Sequence, residues 1–262
     1  PPATKLRELL ARPGLIRGIN IYDPLTARLA QQIGFDAIAL GGYQQGSALC
    51  VPEPTLTMTE VIEGARLITK AVSIPLKVDC GAGFGEAVHV TRTIREAEAA
   101  NIACLHIEDQ HYPKRAHYHR LKEAIRRAAL FAEAGCDMVE VFPNKVEEAQ
   151  LIAKEVKAPL VYVNSSGNRN GRPVFSWREL EDMGYRLAID STTVILSAVE
   201  AVRDAMTTYV QTGRPPDKVA KNIELRRYIE TLIGLEEYYE QARGEVAPPP
   251  GEMTNFHLKT DT

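Results

Sequence analysis

The chain has 262 residues and 45% hydrophobic content, enough to supply one large α/β domain with a full core. A formal net charge of −3 excludes a general attraction to nucleic acid or to an anionic membrane surface, and no apolar run reaches the length of a membrane span. Cys50, Cys80, Cys104 and Cys136 follow neither a metal-ligand spacing nor a disulfide framework, which points to a reducing compartment, with the cytoplasm as the default.

Lys5–Ala11 reads as a short opening helix rather than a signal peptide, closed by Pro13-Gly14. Ile16–Tyr22 is a strand. Asp23 caps a helix over Pro24–Ile33 that starts on Pro24 and stops at Gly34. Phe35–Leu40 is the second strand, and a long loop is expected from Tyr43 to Leu56. Thr57 and Glu60 match a capping box for the helix Thr57–Ala71. Ile74–Val78 and Cys104–Ile107 are short β-branched runs joined by the helical EAVHVTRTIREAEAANI. The first stops at Asp79, the second at Glu108 and Asp109, and parallel sheets place their chemistry at these carboxyl ends. Asp109 points the opposite way from Glu108 and reads as a loop support, while His106 reads as a core histidine.

Leu121–Ala134 is an amphipathic helix, Asp137–Phe142 a strand, Lys145–Glu155 a helix and Pro159–Asn164 a strand. After the turn-rich SSGNRNGRP come a short helix capped by Ser176, a strand over Arg186–Asp190, and helices over Thr193–Gln211 and Ile223–Ala242. The reading gives a single domain over 1–243 and an extended tail over 244–262. Alternating β and α segments without hairpin signals predict a parallel sheet covered by helices. Seven strands are legible where a closed barrel needs eight, and the irregularity falls between His119 and Leu121.

The run LHIEDQHYPKR resembles the signature region of the isocitrate lyase and phosphoenolpyruvate mutase superfamily. PLKVDCGAGFG, LTMTEV, EAIRRAALFAEAGCDMVEVF, PLVYVN and ELEDMGY extend the resemblance along the chain in the same order. It implies an α/β fold, a (β/α)8 TIM barrel of the helix-swapped type, in which the Val194–Tyr239 helices pass to a partner in a homo-oligomer, a tetramer in this family. It also implies that one βα unit is missing from the sequence. The family's fifth strand ends in an Ala-Arg-Thr-Asp-like segment whose arginine grips the substrate carboxylate, and nothing here matches it. The expectation is that the intact protein carries roughly 30–40 further residues at this point, enough for a strand, a helix and a loop.

The same resemblance implies Mg²⁺, with Mn²⁺ as the alternative, held on the side of Asp79 and Glu108. Lys114 and Arg115 match the basic pair that opens the family's gating loop. The lyase branch follows that pair with Cys-Gly-His and uses the cysteine for proton transfer. This chain has Ala116-His117-Tyr118, and with no cysteine there His117 or His119 could take over the proton transfer, His117 being the candidate carried forward. Tyr43, Gln45, Gly46 and Ser47 fall in the loop that receives the substrate's carboxylate and oxo oxygens, Glu53 stands where the family has an aspartate, and Asn164 ends a strand at the carboxylate-binding side. Gly81 replaces a second aspartate near the ion, and Arg169 or Arg172 is a candidate substitute for the missing anchor. The function this implies is a metal-dependent lyase acting on a small 2-hydroxy or 2-oxo di- or tricarboxylate through a pyruvate-like enolate. Oxaloacetate decarboxylation, phosphonopyruvate hydrolysis and a non-catalytic scaffold or small-acid sensor are the alternatives.

Overall fold

The computed structural model describes residues 1–110, 120–168, 170–235 and 237–240. All seven predicted strands are present: β1 (Ile16–Asn20), β2 (Ala37–Leu40), β3 (Leu76–Asp79), β4 (Cys104–His106), β5 (Val139–Glu140), β6 (Leu160–Asn164) and β7 (Leu187–Asp190). The helices are α1 (Pro2–Ala11), α2 (Pro24–Ile33), α3 (Gly42–Leu49), α4 (Met58–Ala71), α5 (Ala87–Ala99), α6 (Leu121–Glu133), α7 (Val146–Glu155), α8 (Trp177–Met183), α9 (Thr193–Thr212) and α10 (Val219–Leu232). Capping boxes start α2 at Asp23, α4 at Thr57 and α8 at Ser176, and left-handed glycines end α2 at Gly34 and α8 at Gly184.

One expectation is corrected. Tyr43–Leu56 is not a loop: α3 fills its first half and a 3-10 turn covers Glu53–Thr55. The stretch is poor in strong helix formers, but tertiary hydrogen bonds override that preference. Gln44 accepts from the Asn20 amide (2.9 Å) and donates to the Ser191 carbonyl, and Gln45 donates to the Glu60 carbonyl (2.6 Å).

The chain forms two units, 1–204 and 205–262, with the boundary inside α9. The first holds the whole sheet, every strand pair parallel, in the order β4-β3-β2-β1-β7-β6-β5. Laid flat, β3 and β5 would stand about 24 Å apart at the usual inter-strand spacing. Yet Lys77 on β3 and Glu140 on β5 form an ion pair of 2.8 Å, so the sheet curls round until its two ends face each other.

Alternation sorts the side chains. Ile38, Leu40, Leu76 and Val78 point outward onto Val61, Ala65 and Ile68 of α4. Leu160, Tyr162 and Ala188 pack outward against α7 and α8. The inward row is Ile16, Ala37, Ala39, Val161, Leu187 and Ile189, joined by partly buried Cys104 and Met138. In the second unit, Met206, Tyr209, Val210, Val219 and Ile223 are exposed. No helix among the described residues is long and apolar enough to cross a membrane.

Candidate metal centre at the carboxyl edge of the sheet

Parallel pairing sets Asp79 opposite His106 at the ends of β3 and β4. His106 and Glu108 are two residues apart and therefore share a face. Asp79, His106 and Glu108 can each offer one ligand atom within 4.8 Å of the others. Two carboxylates and an imidazole make a donor set suited to a divalent cation with a preference for oxygen. His106, which its strand position suggested as a core histidine, stands mostly buried and within reach of both carboxylates. The signal available was the spacing in His106-Ile107-Glu108, which puts two potential ligands on one side of a strand.

The backbone holds the cluster in place. Gly81 donates its N–H to Asp79 Oδ1 at 2.8 Å and accepts the Glu108 N–H at 2.7 Å, so one residue ties both carboxylate-bearing segments together. It does so at φ +51°, in the left-handed region that glycine enters without penalty. The Cys80 N–H donates to the His106 carbonyl at 2.9 Å, and the Gly42 N–H reaches Asp79 Oδ2 at 3.4 Å.

Behind the centre lies the ionic core of the curled sheet. The Lys77 and Glu140 side chains are only 11% and 6% exposed, and Glu140 Oε1 stands 3.9 Å from His106 Nε2. His106 Nδ1 in turn stands 3.9 Å from Asp79 Oδ1. Burial presses the Lys77 ammonium toward neutrality, but the Glu140 carboxylate outweighs it and holds the lysine above its ordinary range. Burial likewise pushes Glu140 up, and His106 and Lys77 together bring it below the usual carboxylate value. Burial also raises the Cys80 thiol to about 12 and the Cys104 thiol to about 11. Both therefore stay protonated near neutrality, which removes them as nucleophiles.

A cleft of about 360 Å³, counted with its solvent-filled mouth, opens beside Asp79 and is lined by Gly42, Glu53, Leu56, Gly81 and Phe84 among others. Glu53 is thus brought to the same cleft as Asp79. Its side chain lies over Gly42, where an added Cβ would come within 2.6 Å of it. Gly46 serves a second close approach: a Cβ there would meet the Val51 carbonyl at 2.7 Å, against which α3 packs the turn that carries Glu53.

The remaining predicted residues are placed as follows. Tyr43 and Ser47 are exposed one turn apart on α3. Gln45 is buried with its amide nitrogen on Glu60. Asn164 ends β6 with its amide bonded to both backbone groups of Phe175, at 2.8 and 3.0 Å. Asp109 binds Arg127 of α6 rather than joining the cluster. Arg172 stacks over the Phe142 ring at 4.7 Å. Lys114, Arg115, His117 and Arg169 lie outside the described residues.

Comparison with known proteins gives consistent likenesses. A family model described as phosphoenolpyruvate phosphomutase matches residues 6–119. The chain is 28% identical to a 2-methylisocitrate lyase of Aeropyrum pernix over 302 positions, covering 100% of this chain and 96% of the relative. It is 30% identical to the 2,3-dimethylmalate lyase of Eubacterium barkeri over 247 residues, covering 78% of this chain and 85% of the relative. A crystal structure of phosphonopyruvate hydrolase with oxalate and Mg²⁺ superposes with a TM-score of 0.81 at 25% identity, over 92% of this chain and 98% of that one.

Proposed function

Because the chain belongs to the phosphoenolpyruvate mutase/isocitrate lyase superfamily, we propose that it is a divalent-metal-dependent lyase. It cleaves a carbon–carbon bond in a small 2-hydroxy or 2-oxo di- or tricarboxylate, through a pyruvate-like enolate. The observation that supports this most directly is the convergence of Asp79, His106 and Glu108 beside an open cleft at the carboxyl edge of a parallel sheet. Mg²⁺ or Mn²⁺ fits this donor set.

A bound cation of this kind supplies a Lewis acid that polarises the substrate oxygen. The chain's own groups do the rest. The Gly81 N–H holds the Asp79 carboxylate, and the Gly81 carbonyl holds the backbone from which the Glu108 side chain projects. Tyr43, Gln45, Gly46, Ser47, Glu53 and Asn164 form the substrate side. Gln45 and Asn164 fix the walls through their backbone contacts, Gly46 lets α3 approach the turn, Glu53 lines the cleft, and Tyr43 and Ser47 present exposed side chains for polar contact. Lys114 and Arg115 balance the substrate's carboxylates, and positive charge placed there stabilises the enolate as it develops. His117 transfers the proton that the absent cysteine would otherwise carry.

Relatives act on methylisocitrate and dimethylmalate, and the phosphonopyruvate hydrolase shares the fold. Ala116 gives a second reading specific support: decarboxylation of oxaloacetate releases CO₂ without protonating the departing carbon, so it needs no acid at that position. A panel of methylisocitrate, dimethylmalate, oxaloacetate and phosphonopyruvate, each with Mg²⁺ or Mn²⁺, decides between the readings. Turnover of one of these acids that stops with EDTA is the expected result. Inertness toward all of them would favour a non-catalytic scaffold or small-acid sensor.

The same reading includes assembly and completeness. A homotetramer formed by swapping the C-terminal helices would cover the apolar side chains of α9 and α10. The alignment with the Aeropyrum relative runs over 302 positions against 262 residues here, so about 40 positions have no counterpart. This supports a missing strand–helix unit between β4 and α6, where the sheet order also breaks. A reducing, cytoplasmic setting suits four cysteines that form no disulfide.

A further inference from the structure

The loop after β6 leaves the carboxyl edge of the sheet and returns to it, since Asn164 at the end of β6 holds both backbone groups of Phe175. Within it, the Asn168 amide accepts the Arg172 N–H at 2.9 Å and donates to the Arg172 and Ser165 carbonyls at 3.2 and 2.7 Å. The next carbonyl, of Pro173, accepts the Tyr162 hydroxyl at 2.6 Å. Arg172 is therefore locked at its backbone from both sides. Its half-buried guanidinium stacks on the Phe142 ring at 4.7 Å. Among the described residues that guanidinium gives no hydrogen bond and meets no carboxylate. The stack stands at the mouth of the curled sheet. Val139 and Val141 pack outward and Glu140 turns inward onto Lys77, so alternation puts Phe142 on the inward side, one step past Glu140. Asp79 lies one step past Lys77 on β3. Phe142 and Asp79 thus belong to the layer next above the Lys77–Glu140 pair.

We propose that Arg172 anchors the substrate carboxylate that is remote from the 2-oxygen, and so selects dicarboxylates over monocarboxylates. The guanidinium is a planar fork. One face is spent on the Phe142 ring, and the N–H edge remains for two parallel bonds to a carboxylate. Stacking also restricts the side chain beforehand, so less freedom is lost when an anion arrives. A carboxylate entering a mouth that already carries Asp79 and Glu108 is repelled, and a fixed cation on the β5–β6 side offsets that repulsion. The metal centre alone does not make this choice, because a 2-hydroxy monocarboxylate offers a cation the same carboxylate and hydroxyl as a dicarboxylate. The inference rests on the proposed substrate class, and a binding measurement separates it from turnover.

The probes are malate and lactate, which share a 2-hydroxy carboxylate and differ in the second carboxylate. Isothermal titration into the full chain with Mg²⁺ present gives both dissociation constants. The wild type is expected to bind malate about 10–100-fold more tightly than lactate. Arg172→Met keeps the bulk over Phe142 without the charge, and is expected to bring that ratio to about 1 while leaving lactate affinity unchanged. A merely structural role would weaken both acids together. Arg172→Lys retains the charge but loses the fork, and an intermediate ratio is expected. For a dicarboxylate that the chain turns over, Arg172→Met is expected to raise KM by about 10–100-fold with a smaller loss in kcat. An unchanged malate-to-lactate ratio in Arg172→Met overturns the proposal; should that variant not fold, an unchanged ratio in Arg172→Lys does so. A wild type that binds the two acids alike, or binds neither, also overturns it, and the lyase reading then stands or falls on turnover alone. Selectivity for malate that needs Arg172, in a chain that turns over no acid, leaves the anchor standing and removes the lyase.

Discussion

Glu108 is the residue whose charge the proposed chemistry can least do without. It follows β4 at a point fixed by its own N–H bond to Gly81, so its carboxylate is delivered with little freedom. Glu108→Gln keeps the size and much of the hydrogen bonding but removes the charge. Steady-state turnover of the accepted acid is expected to fall by about 10²-fold or more, as for other electrostatic contacts made in a transition state. His117→Ala separates a different role. If His117 transfers the proton, its loss costs about 10²–10⁴-fold and removes an ionisation near neutrality from the pH–rate profile. Full activity of Glu108→Gln in the presence of EDTA would sink the metal-dependent mechanism.

At the scale of elements, β1 and β2 are clasped by Arg17 and Asp36. The Arg17 backbone N–H and Nε both donate to Asp36 Oδ2, at 2.9 and 2.8 Å, and Nη2 donates to Oδ1 at 3.2 Å. Partial burial works against ionisation of Asp36, but the bonds from Arg17 outweigh it and hold the carboxyl below its ordinary range. A depressed carboxyl contributes stability that is complete above its unfolded value of about 3.9 and is lost as pH falls through the folded one. Asp36→Asn is therefore expected to flatten the acid limb of stability against pH, measured by urea unfolding between about pH 5 and 2. A limb as steep as that of the wild type would show that other carboxylates govern it.

The elements themselves were largely legible. All seven strands were legible as short apolar runs between helical segments, and the Asp23, Thr57 and Ser176 caps read directly because capping is local chemistry. α3 did not, because the contacts that hold it are long-range hydrogen bonds from Gln44 and Gln45 to β1, α4 and the Ser191 carbonyl. Asp79 and Glu108 were recognisable as carboxylates at strand ends. The Lys77–Glu140 pair was not, since each looks like an isolated polar residue in an apolar run until the sheet curls and brings them face to face.

For the molecule as a whole, completeness and assembly are measured together. Intact mass spectrometry is expected to return about 3–5 kDa more than the 29.0 kDa of this sequence, because a further strand, helix and loop need roughly 30–40 residues. Sedimentation at micromolar concentration is expected to show a tetramer, or at least a dimer. A mass equal to that of the sequence would mean that the seven-stranded sheet is the finished form. A monomer would leave the apolar side chains of α9 and α10 to be explained by some other partner.

The central position of β1 also bears on how the chain is made. β1 pairs on one side with β2, which follows it closely, and on the other with β7, in register from Ile16↔Leu187 to Ile19↔Asp190. During synthesis the amino-terminal strands can therefore assemble early, but β1 keeps one open side until β7 leaves the ribosome. At about 5–20 residues per second that interval lasts roughly 10–30 s. Through it, the nascent chain presents an apolar strand edge in the middle of its future sheet, which is the kind of surface that chaperones bind and that neighbouring chains on a polysome can pair with.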